Sequence, residues 1–341
     1  MNPDRFHELA GRFPKLRVAV IGDFSLDRYL EIDPALEEIS IETGLPVHNV
    51  VRVRSQAGAA GTILNNLAAL GVGLIHPVGF VGDDGEGFEL RRALAALPAV
   101  NLSRFLISPH RRTFTYCKPL VLRGNQSPLE LNRLDSKNWT PTAASLQEEL
   151  VEAAHRLAES LDAIVLLDQV EIPETGVVTP RLLGAIAAIA ESRPELLILA
   201  DSRRGLKGYP RIGFKMNRAE LGRLMGLSDD LPLDKVKNAA LALARKQGRK
   251  VFVTLAEQGM IGAAPTGDVL HLPIRPVRGE IDVVGAGDAV NASLVAALAA
   301  GGSLAESLEL ANAAASIVIH QLGTTGTASP DAIRSLLFDQ S

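Results

Sequence analysis

The chain has a single cysteine, few aromatic residues and no apolar run of membrane-spanning length. Cys117 is the only cysteine among 341 residues, which excludes an intrachain disulfide and a cysteine-based metal cluster. Aromatic residues make up only 4% of the chain, so a core must be built mainly from Leu, Val, Ile and Ala. The N-terminal residues lack the apolar segment of a secretion signal. We therefore expect a cytoplasmic protein with no membrane partner.

A strong charge of either sign is also missing. The formal net charge is -4, and basic clusters are as short as Arg111-Arg112, so nucleic acid is not an expected partner. Hydrophobic residues make up 47% of the chain, which is enough for a sizeable core. Since no repeat, low-complexity tract or long Gly/Ser linker interrupts the sequence, we predict one compact domain over residues 1–341.

Short apolar runs alternate with segments of helical periodicity. Four runs are nearly continuous in apolar residues, at 18–21, 163–167, 196–200 and 251–253. A polar residue follows each run, namely Asp23, Asp168, Asp201 and Thr254. Continuous apolar runs are typical of parallel strands buried on both faces. The alternation predicts an α/β fold, a doubly wound and mostly parallel sheet flanked by helices, with ligands bound beyond the carboxyl ends of its strands.

Two regions depart from this alternation. Segments of about 29–56 and 112–134 contain alternating polar and apolar residues broken by turn residues, which is typical of short exposed strands. We predict that they form a small β lid inserted in the main domain.

The run 281–288, IDVVGAGD, precedes an Ala-rich apolar stretch at 289–300 that reads as a helix. Gly285 and Gly287 allow the backbone N–H groups to approach an anion at a helix start, where the helix dipole favours negative charge. A carboxylate there, Asp288, repels a bound phosphate unless it accepts a proton from an attacking hydroxyl. The alternative interpretation is a helix cap after a tight turn.

Eight segments of the chain form an ordered set of motifs. They are GDFSLDRY at 22–29, QAGAAGTILNNLAALG at 56–71, LNRLD at 131–135, NRAE at 217–220, VTLAEQGM at 253–260, DVVGAGD at 282–288, ANAAAS at 311–316 and LGT at 322–324. In order and spacing they resemble the ribokinase-like (PfkB) carbohydrate kinases, most closely the D-glycero-β-D-manno-heptose-7-phosphate kinases. The resemblance runs from about Arg17 to Pro330. It implies a ribokinase-like fold and ATP-dependent phosphoryl transfer to a hydroxyl of a sugar or sugar phosphate.

The resemblance also implies roles for individual residues. Asp288 would be the general base, and the N–H groups of Gly285, Ala286 and Gly287 would form an anion hole for the transferred phosphoryl group. The positions implied to bind the nucleotide are Asn217, Thr254, Gly259, Asn312 and Ser316. Glu220 would hold Mg²⁺ through water. The positions implied to bind the sugar are Asp23, Asp27, Gly58 and Gly61.

Further expectations follow from the resemblance. ATP and Mg²⁺ are the implied cofactors, and a monovalent cation such as K⁺ near Asp282 and Ser316 is left open. Related kinases pair their lids across a two-fold axis, so we expect a homodimer. The HxGH-type motif of the nucleotidyltransferase half found in bifunctional relatives is absent from the sequence, and adenylyl transfer is not predicted.

The sequence departs from the family pattern near both substrates. Val283 and Ala289 replace two threonines beside the phosphate site, Met216 replaces a proline, and Gly61 replaces the asparagine that contacts the sugar. Two alternatives therefore stay open, a binding protein of impaired catalysis on the same fold and a PfkB kinase for a different sugar. A nicotinamide-dependent dehydrogenase is disfavoured because the first strand lacks a GxGxxG turn.

Several positions have a structural alternative. Asn217 with Glu220 could be only a helix cap, Asn312 a buried core amide, and Asp27 a partner of Arg28. Lys118 and Arg123 on the predicted lid could pair with phosphate, although a solvated strand face is favoured for both.

Overall fold

The computed structural model describes residues 1–124, 126–277, 279–323 and 325–339. Thr324, which ends the LGT motif, lies outside the described residues. Nine strands form the main sheet, in the spatial order β16 (Val269–Leu272), β15 (Met260–Ala263), β14 (Val251–Thr254), β13 (Gly213–Asn217), β12 (Leu197–Ser202), β11 (Ala163–Asp168), β1 (Arg17–Gly22), β6 (Leu74–Gly82) and β7 (Phe105–Ser108). Every pair from β14 to β7 is parallel, and only β14–β15 and β15–β16 are antiparallel among these strands.

Helices cover both faces of this sheet. They are α1 (Pro3–Ala10), α2 (Ala60–Ala69), α3 (Gly85–Ala95), α4 (Ala144–Ala158), α5 (Pro180–Ser192), α6 (Arg218–Met225), α7 (Leu233–Gln247), α8 (Ala286–Ala299), α9 (Leu304–Val318) and α10 (Pro330–Arg334). One apolar core contains buried residues of α1, α2, α8 and α9, and a second contains buried residues of α4, α5 and α7. The predicted α/β sheet flanked by helices is confirmed. No helix in the described part of the chain is long and apolar enough to cross a membrane.

The central strands form where the sequence is continuously apolar. In β11 every residue is buried, and in β1 only Arg17 is exposed. Burial on both faces removes the need for polar alternation, which is why these runs were recognisable. The polar residues predicted at strand ends lie at the carboxyl edge, with Asp168 closing β11, Asp201 near the end of β12 and Thr254 closing β14.

A second sheet stands on the carboxyl edge of the first. Its strands are β10 (Leu134–Ser136), β8 (Phe114–Arg123), β2 (Phe24–Ile32) and β5 (Val50–Ala59), in that order, with β9 (Gln126–Glu130) paired to β8 and a separate hairpin of β3 (Glu38–Ile39) and β4 (Pro46–Val47). The predicted lid segments supply strands of this sheet and the hairpin, and strands β2, β5 and β10 extend beyond the predicted bounds. Strand β2 begins at Phe24, two residues after β1 ends, because the chain passes almost directly from one sheet into the other.

Candidate active site

The predicted anion hole is a glycine turn at the start of α8. Gly285 is the N-cap residue, with φ 82° and ψ -7°, a left-handed conformation that favours glycine. The N–H of Ala286 donates to the carbonyl of Val283 at 3.2 Å, so this predicted donor is already engaged in the turn. The first N–H groups of a helix have no carbonyl partner within it. The next N–H in the first turn belongs to Gly287. The geometry therefore favours Gly287 over Ala286 as the hydrogen-bond donor to an anion.

Asp288 follows in the first turn of α8 and is partly buried. Loss of contact with water raises the pKa of its carboxyl group to about 7, with Lys215 opposing that change and the negative charges of Asp201 and Asp27 adding to it. A carboxyl group with a pKa near neutrality can accept a proton at physiological pH. Asp288 therefore has the environment of a general base.

Lys215 is a functional candidate that the sequence reasoning missed. Its Nζ donates to Oδ2 of Asp201 at 2.7 Å, and a Cβ built on Gly287 would lie 3.2 Å from the same Nζ. Burial would lower the pKa of Lys215, but Asp201 and Asp288 outweigh burial and raise it. A cation thus lies against the glycine turn. The available signal was a lysine between two large apolar residues of strand β13, Phe214 and Met216.

Gly58 on the lid strand β5 is paired with Ser25 on β2, and Asp27 lies two residues further along β2 on the same face. A Cβ on Gly58 would come within 2.6 Å of Ser25 Oγ and 2.9 Å of Asp27 Oδ1, so the absence of a side chain makes room for that carboxylate. Burial raises the pKa of Asp27, while Lys118 and Arg133 lower it. The charge of Asp27 also raises the pKa of Asp288. The carboxylate on the lid and the one that follows the glycine turn are therefore close enough to influence each other.

Arg28 and Lys118 on the lid strands contact side chains other than Asp27. Arg28 pairs with Glu89 at 2.9 Å and with Glu86 at 3.5 Å, so the suggested Asp27–Arg28 pair does not form. Lys118 lies over the ring of Tyr29, with Nζ 4.9 Å from the ring centroid.

Arg123 is the last residue of β8. It is exposed, and its guanidinium group donates to the carbonyl of Ser127 at 2.9 Å. This contact is consistent with the favoured interpretation of a solvated strand face.

Asp23, predicted to bind the sugar, makes structural contacts. Its side chain is buried, and its Oδ2 accepts the N–H groups of Gln169 at 2.8 Å and Val170 at 3.2 Å, while Oδ1 accepts that of Val177 at 2.7 Å. Both oxygens therefore hold the loop at 169–177. This carboxylate therefore has a structural function, and its contact with a sugar stays a prediction.

Gly61 lies in the first turn of α2 and is buried. A Cβ there would lie 2.6 Å from the Cβ of Ala57, so the space that a side chain would need is filled by close packing. Gly61 offers no polar side chain to a sugar. Its predicted contact with the sugar is limited to the backbone.

Asn217 and Glu220 form the helix cap suggested as their alternative. Oδ1 of Asn217 accepts the N–H of Glu220 at 2.9 Å, and Oε2 of Glu220 accepts the N–H of Asn217 at 2.7 Å. Burial raises the pKa of Glu220, and the charge of Asp201 adds to this increase. The hydrogen bond from the N–H of Asn217 and the charge of Lys215 lower it. The cap therefore places the Glu220 carboxylate beside the cluster around Lys215.

Two further positions predicted to bind the nucleotide border the same edge of the main sheet. Thr254 Oγ1 donates to the carbonyl of Met216 at 3.4 Å. Gly259 has φ 89°, and a Cβ there would lie 2.0 Å from the carbonyl oxygen of Leu272, so glycine is required. Strand β14 thus ends in a turn that only glycine can complete.

Asn312 and Ser316 lie one turn apart on α9. The buried amide of Asn312 donates from Nδ2 to the carbonyl of Pro273 at 2.6 Å, in agreement with its alternative as a core amide. The carbonyl of Ser316 lies 2.6 Å from Nδ1 of His320. These two residues fix the loop after β16 and the end of α9.

The chain is similar to known carbohydrate kinases in sequence. The family described as pfkB family carbohydrate kinase matches residues 16–332. A bifunctional protein HldE of Azorhizobium caulinodans is 35% identical over 310 residues, 90% of this chain and 61% of that protein. The bifunctional protein HldE of Gluconobacter oxydans is 32% identical over 323 residues, 94% of this chain and 64% of that protein. The chain thus spans less than two thirds of the length of these relatives.

Solved structures agree on the fold. A ribokinase from Arabidopsis thaliana, complexed with ribose and ATP, superposes with a TM-score of 0.67 at 21% identity, covering 95% of this chain and 99% of that one. Phosphofructokinase-2 from Escherichia coli, in complex with potassium, gives 0.70 at 19% identity, covering 94% and 97%. The predicted ribokinase-like fold is confirmed. Because the family match covers nearly the whole chain, this protein belongs to the pfkB family of carbohydrate kinases.

Proposed function

We propose that the chain transfers the γ-phosphoryl group of ATP to a hydroxyl group of a sugar or sugar phosphate, with Asp288 as the general base. The observation that carries the proposal is the raised pKa of Asp288, about 7, in the first turn of a helix that begins at a glycine. Family membership supports the same reaction.

In the proposed reaction the acceptor hydroxyl binds between Asp27 and Asp288. Its oxygen forms a bond to the γ-phosphorus, the bond from that phosphorus to the β–γ bridging oxygen breaks, and ADP leaves. Asp288 takes the hydroxyl proton. The N–H of Gly287 and the ammonium group of Lys215 stabilise the negative charge on the transferred oxygens.

We assign the nucleotide and metal positions from their location at the carboxyl edge of the main sheet. We assign Asn217, Thr254, Gly259, Asn312 and Ser316 to the ATP side of the cleft. Within the described ranges no group of three or more His, Cys, Asp and Glu side chains could hold a metal ion. Mg²⁺ commonly takes one or two carboxylates together with phosphates and water, so Glu220 fits such an ion through water. The bound ion would neutralise phosphate charge.

A monovalent cation near Asp282 and Ser316 remains a prediction. Oδ1 of Asp282 accepts the N–H of Val284 at 3.0 Å, which orders the segment before the glycine turn. Its test is the dependence of turnover on added KCl, with NaCl at the same ionic strength as the control. Equal rates in both salts would remove K⁺ from the proposal.

Heptose 7-phosphate is the first acceptor to test. The chain resembles the heptose kinases in its motifs, and Lys118 and Arg133 place positive charge near Asp27, where an acceptor phosphate could bind. The chain's departures at Val283 and Gly61 make a panel necessary. We would compare heptose 7-phosphate with ribose, fructose 1-phosphate, fructose 6-phosphate, 2-keto-3-deoxygluconate and nucleosides.

The test measures ADP release from ATP and Mg²⁺ with each acceptor, using Asp288→Asn as the control. Acceptor-dependent release that disappears in the variant supports the proposed function. ATP binding without turnover on any acceptor would instead favour a catalytically impaired binding protein. One observation favours that second candidate, since buried Gly61 lacks the side-chain amide of the family pattern.

We also propose that two copies associate through their lids. The lid exposes a set of large apolar side chains, namely Leu36, Ile39, Ile41, Leu45, Val50, Val51, Val53, Leu129 and Leu134. Among the described strands of this sheet, β5 is an edge strand, and such edges pair readily with a second chain. Light scattering should give twice the mass of the chain, and Val51→Lys with Val53→Lys should give the single mass. A monomer without substitution would contradict the proposal.

A further inference from the structure

Two buried side chains and one partly buried carboxylate, from three elements, meet at the first turns of α8. Asp201 comes from β12, Lys215 from β13 and Asn291 from α8 itself. Oδ2 of Asp201 accepts both Lys215 Nζ at 2.7 Å and Asn291 Nδ2 at 2.8 Å. The exposed fraction is 7% for Lys215 and zero for Asn291. One carboxylate oxygen therefore fixes a buried cation and a buried amide together.

The arrangement determines where the ammonium group of Lys215 can lie. A buried ammonium is costly without an anionic partner, and Asp201 supplies one. Asn291 follows Asp288 by three residues, so both lie on the same face of α8, one turn apart. Its hydrogen bond ties that face to the Asp201 carboxylate. The ammonium group then lies against Gly287, immediately before Asp288.

We propose that Asp201 and Asn291 are positioning residues for Lys215. Asn291 fixes the Asp201 carboxylate, and Asp201 pairs with the ammonium group and holds it beside Asp288, so that the cation assists this base without pairing with it directly. The inference deepens the proposed function and rests on it. Asp201 and Asn291 act through Lys215 and need not touch either substrate.

The charged groups that face Asp288 predict opposite effects for two substitutions. They are Lys215 from β13, Asp201 from β12 and Asp27 from the lid strand β2; Lys215 lowers the pKa of Asp288, whereas both carboxylates raise it. Removing the cation should therefore raise that pKa. Removing Asp201 should lower it, because a like charge is lost and Lys215 turns to Asp288 as its remaining close anion.

The experiment measures kcat/KM against pH with ATP, Mg²⁺ and the acceptor that gives the fastest ADP release. Lys215→Met should move the acid limb to higher pH, and Asp201→Asn should move it to lower pH, each by ~1 pH unit, the usual effect of a neighbouring charge. Lys215→Arg, which keeps the cation, should restore the wild-type position. Shifts in the same direction, or no shift, would overturn the inference.

Asn291 is tested by a double-mutant cycle. Asn291→Leu should lower kcat in the wild-type background and have no further effect in the Asp201→Asn background, because Asn291 acts through that carboxylate. Fully additive effects would contradict the inference. A second result would also contradict it. If Asp201→Asn needs more Mg²⁺ for half-saturation but keeps the acid limb in place, Asp201 acts on the metal and not on Lys215.

Asp168→Asn is the matched control. Asp168 closes the neighbouring strand β11, and its buried carboxylate also pairs with a cation, since Oδ2 accepts Nη2 of the exposed Arg204 at 2.7 Å. It is not among the groups that shift the pKa of Asp288. Its substitution should leave the acid limb in place even if it lowers the melting temperature.

A readout without turnover separates this inference from the proposed function. The pH dependence of the melting temperature, compared with and without Asp288→Asn in each background, reports the pKa of Asp288 by linkage. If Asp288→Asn retains turnover, the proposed function fails. If that variant is inactive but neither measurement shows opposite shifts for Lys215→Met and Asp201→Asn, the inference alone fails.

Discussion

Oδ1 of Asp23 accepts the backbone N–H of Val177 at 2.7 Å, which ties the end of the first strand to a loop more than a hundred residues away. The other oxygen of the same carboxylate accepts two more N–H groups of that loop, from Gln169 and Val170. The loop follows β11, so Asp23 fastens the carboxyl ends of two neighbouring strands together.

We therefore expect Asp23→Ala to act on stability. Two buried N–H groups and one partly buried N–H group would lose their acceptor, at a cost of ~1–3 kcal/mol for each group left unsatisfied. Urea unfolding should show a loss of at least ~3 kcal/mol for this reason. Asp27→Ala is the control, because its carboxylate holds no comparable loop. An equal loss of unfolding free energy in both variants would contradict the structural function of Asp23.

Asp288→Asn should remove turnover while leaving the fold intact. Loss of a general base lowers rates by ~10²–10⁴. The amide is close in shape to the carboxyl group, so ATP binding measured by calorimetry should change little. A variant within a few-fold of the wild-type kcat would exclude Asp288 as the base.

The pKa of about 7 also predicts the pH dependence of the rate. Asp288 must be ionised to accept a proton, so kcat/KM should fall as the pH drops below 7. The fall should approach tenfold for each pH unit in the acid limb, as for a single ionisation. A profile that stays flat down to pH 5 would show that the base is an unperturbed carboxylate or another group.

The same group predicts a pH-dependent stability difference. The pKa of Asp288 is about 7 in the folded state and 3.8 ordinarily, so between these pH values the folded chain keeps a proton that the unfolded chain has lost. Ionisation of this group therefore reduces stability as the pH rises through that window. Relative to wild type, Asp288→Asn should gain stability from pH 4 to pH 8, by up to ~4 kcal/mol at 1.36 kcal/mol per pKa unit. A constant difference across this range would contradict the raised pKa.

The sequence predicted much of this architecture because the relevant signals are local. Apolar runs such as the one in β11 identify buried parallel strands, and the GAGD segment locates Asp288 at a helix start. The function of Asp23 depends on a distant loop closing over it, which no local pattern records. Lys215 was missed for a similar reason. A lysine in an apolar strand becomes informative only when β12, β13 and α8 bring Asp201 and Asp288 to it.

Gly58 gives the sharpest test of the lid as part of the acceptor site. Gly58→Ala would place a methyl group 2.6 Å from Ser25 Oγ and 2.9 Å from the Asp27 carboxylate, closer than such contacts allow. Asp27 must then move, so the KM of the acceptor should rise about tenfold or more, the effect of losing one hydrogen bond to a charged group. The KM of ATP should change little, because Gly58 lies on the lid strand β5.

Gly184→Ala is the matched control for this substitution. Gly184 is exposed on α5, and nothing lies within 4 Å of a Cβ built there. Alanine in that helix should raise stability by ~0.5–1 kcal/mol and leave both KM values unchanged. Equal acceptor KM values in the Gly58 and Gly184 variants would show that Asp27 does not contact the acceptor. A raised KM in the Gly58 variant alone supports an acceptor site formed jointly by Asp27 on the lid and Asp288 on α8.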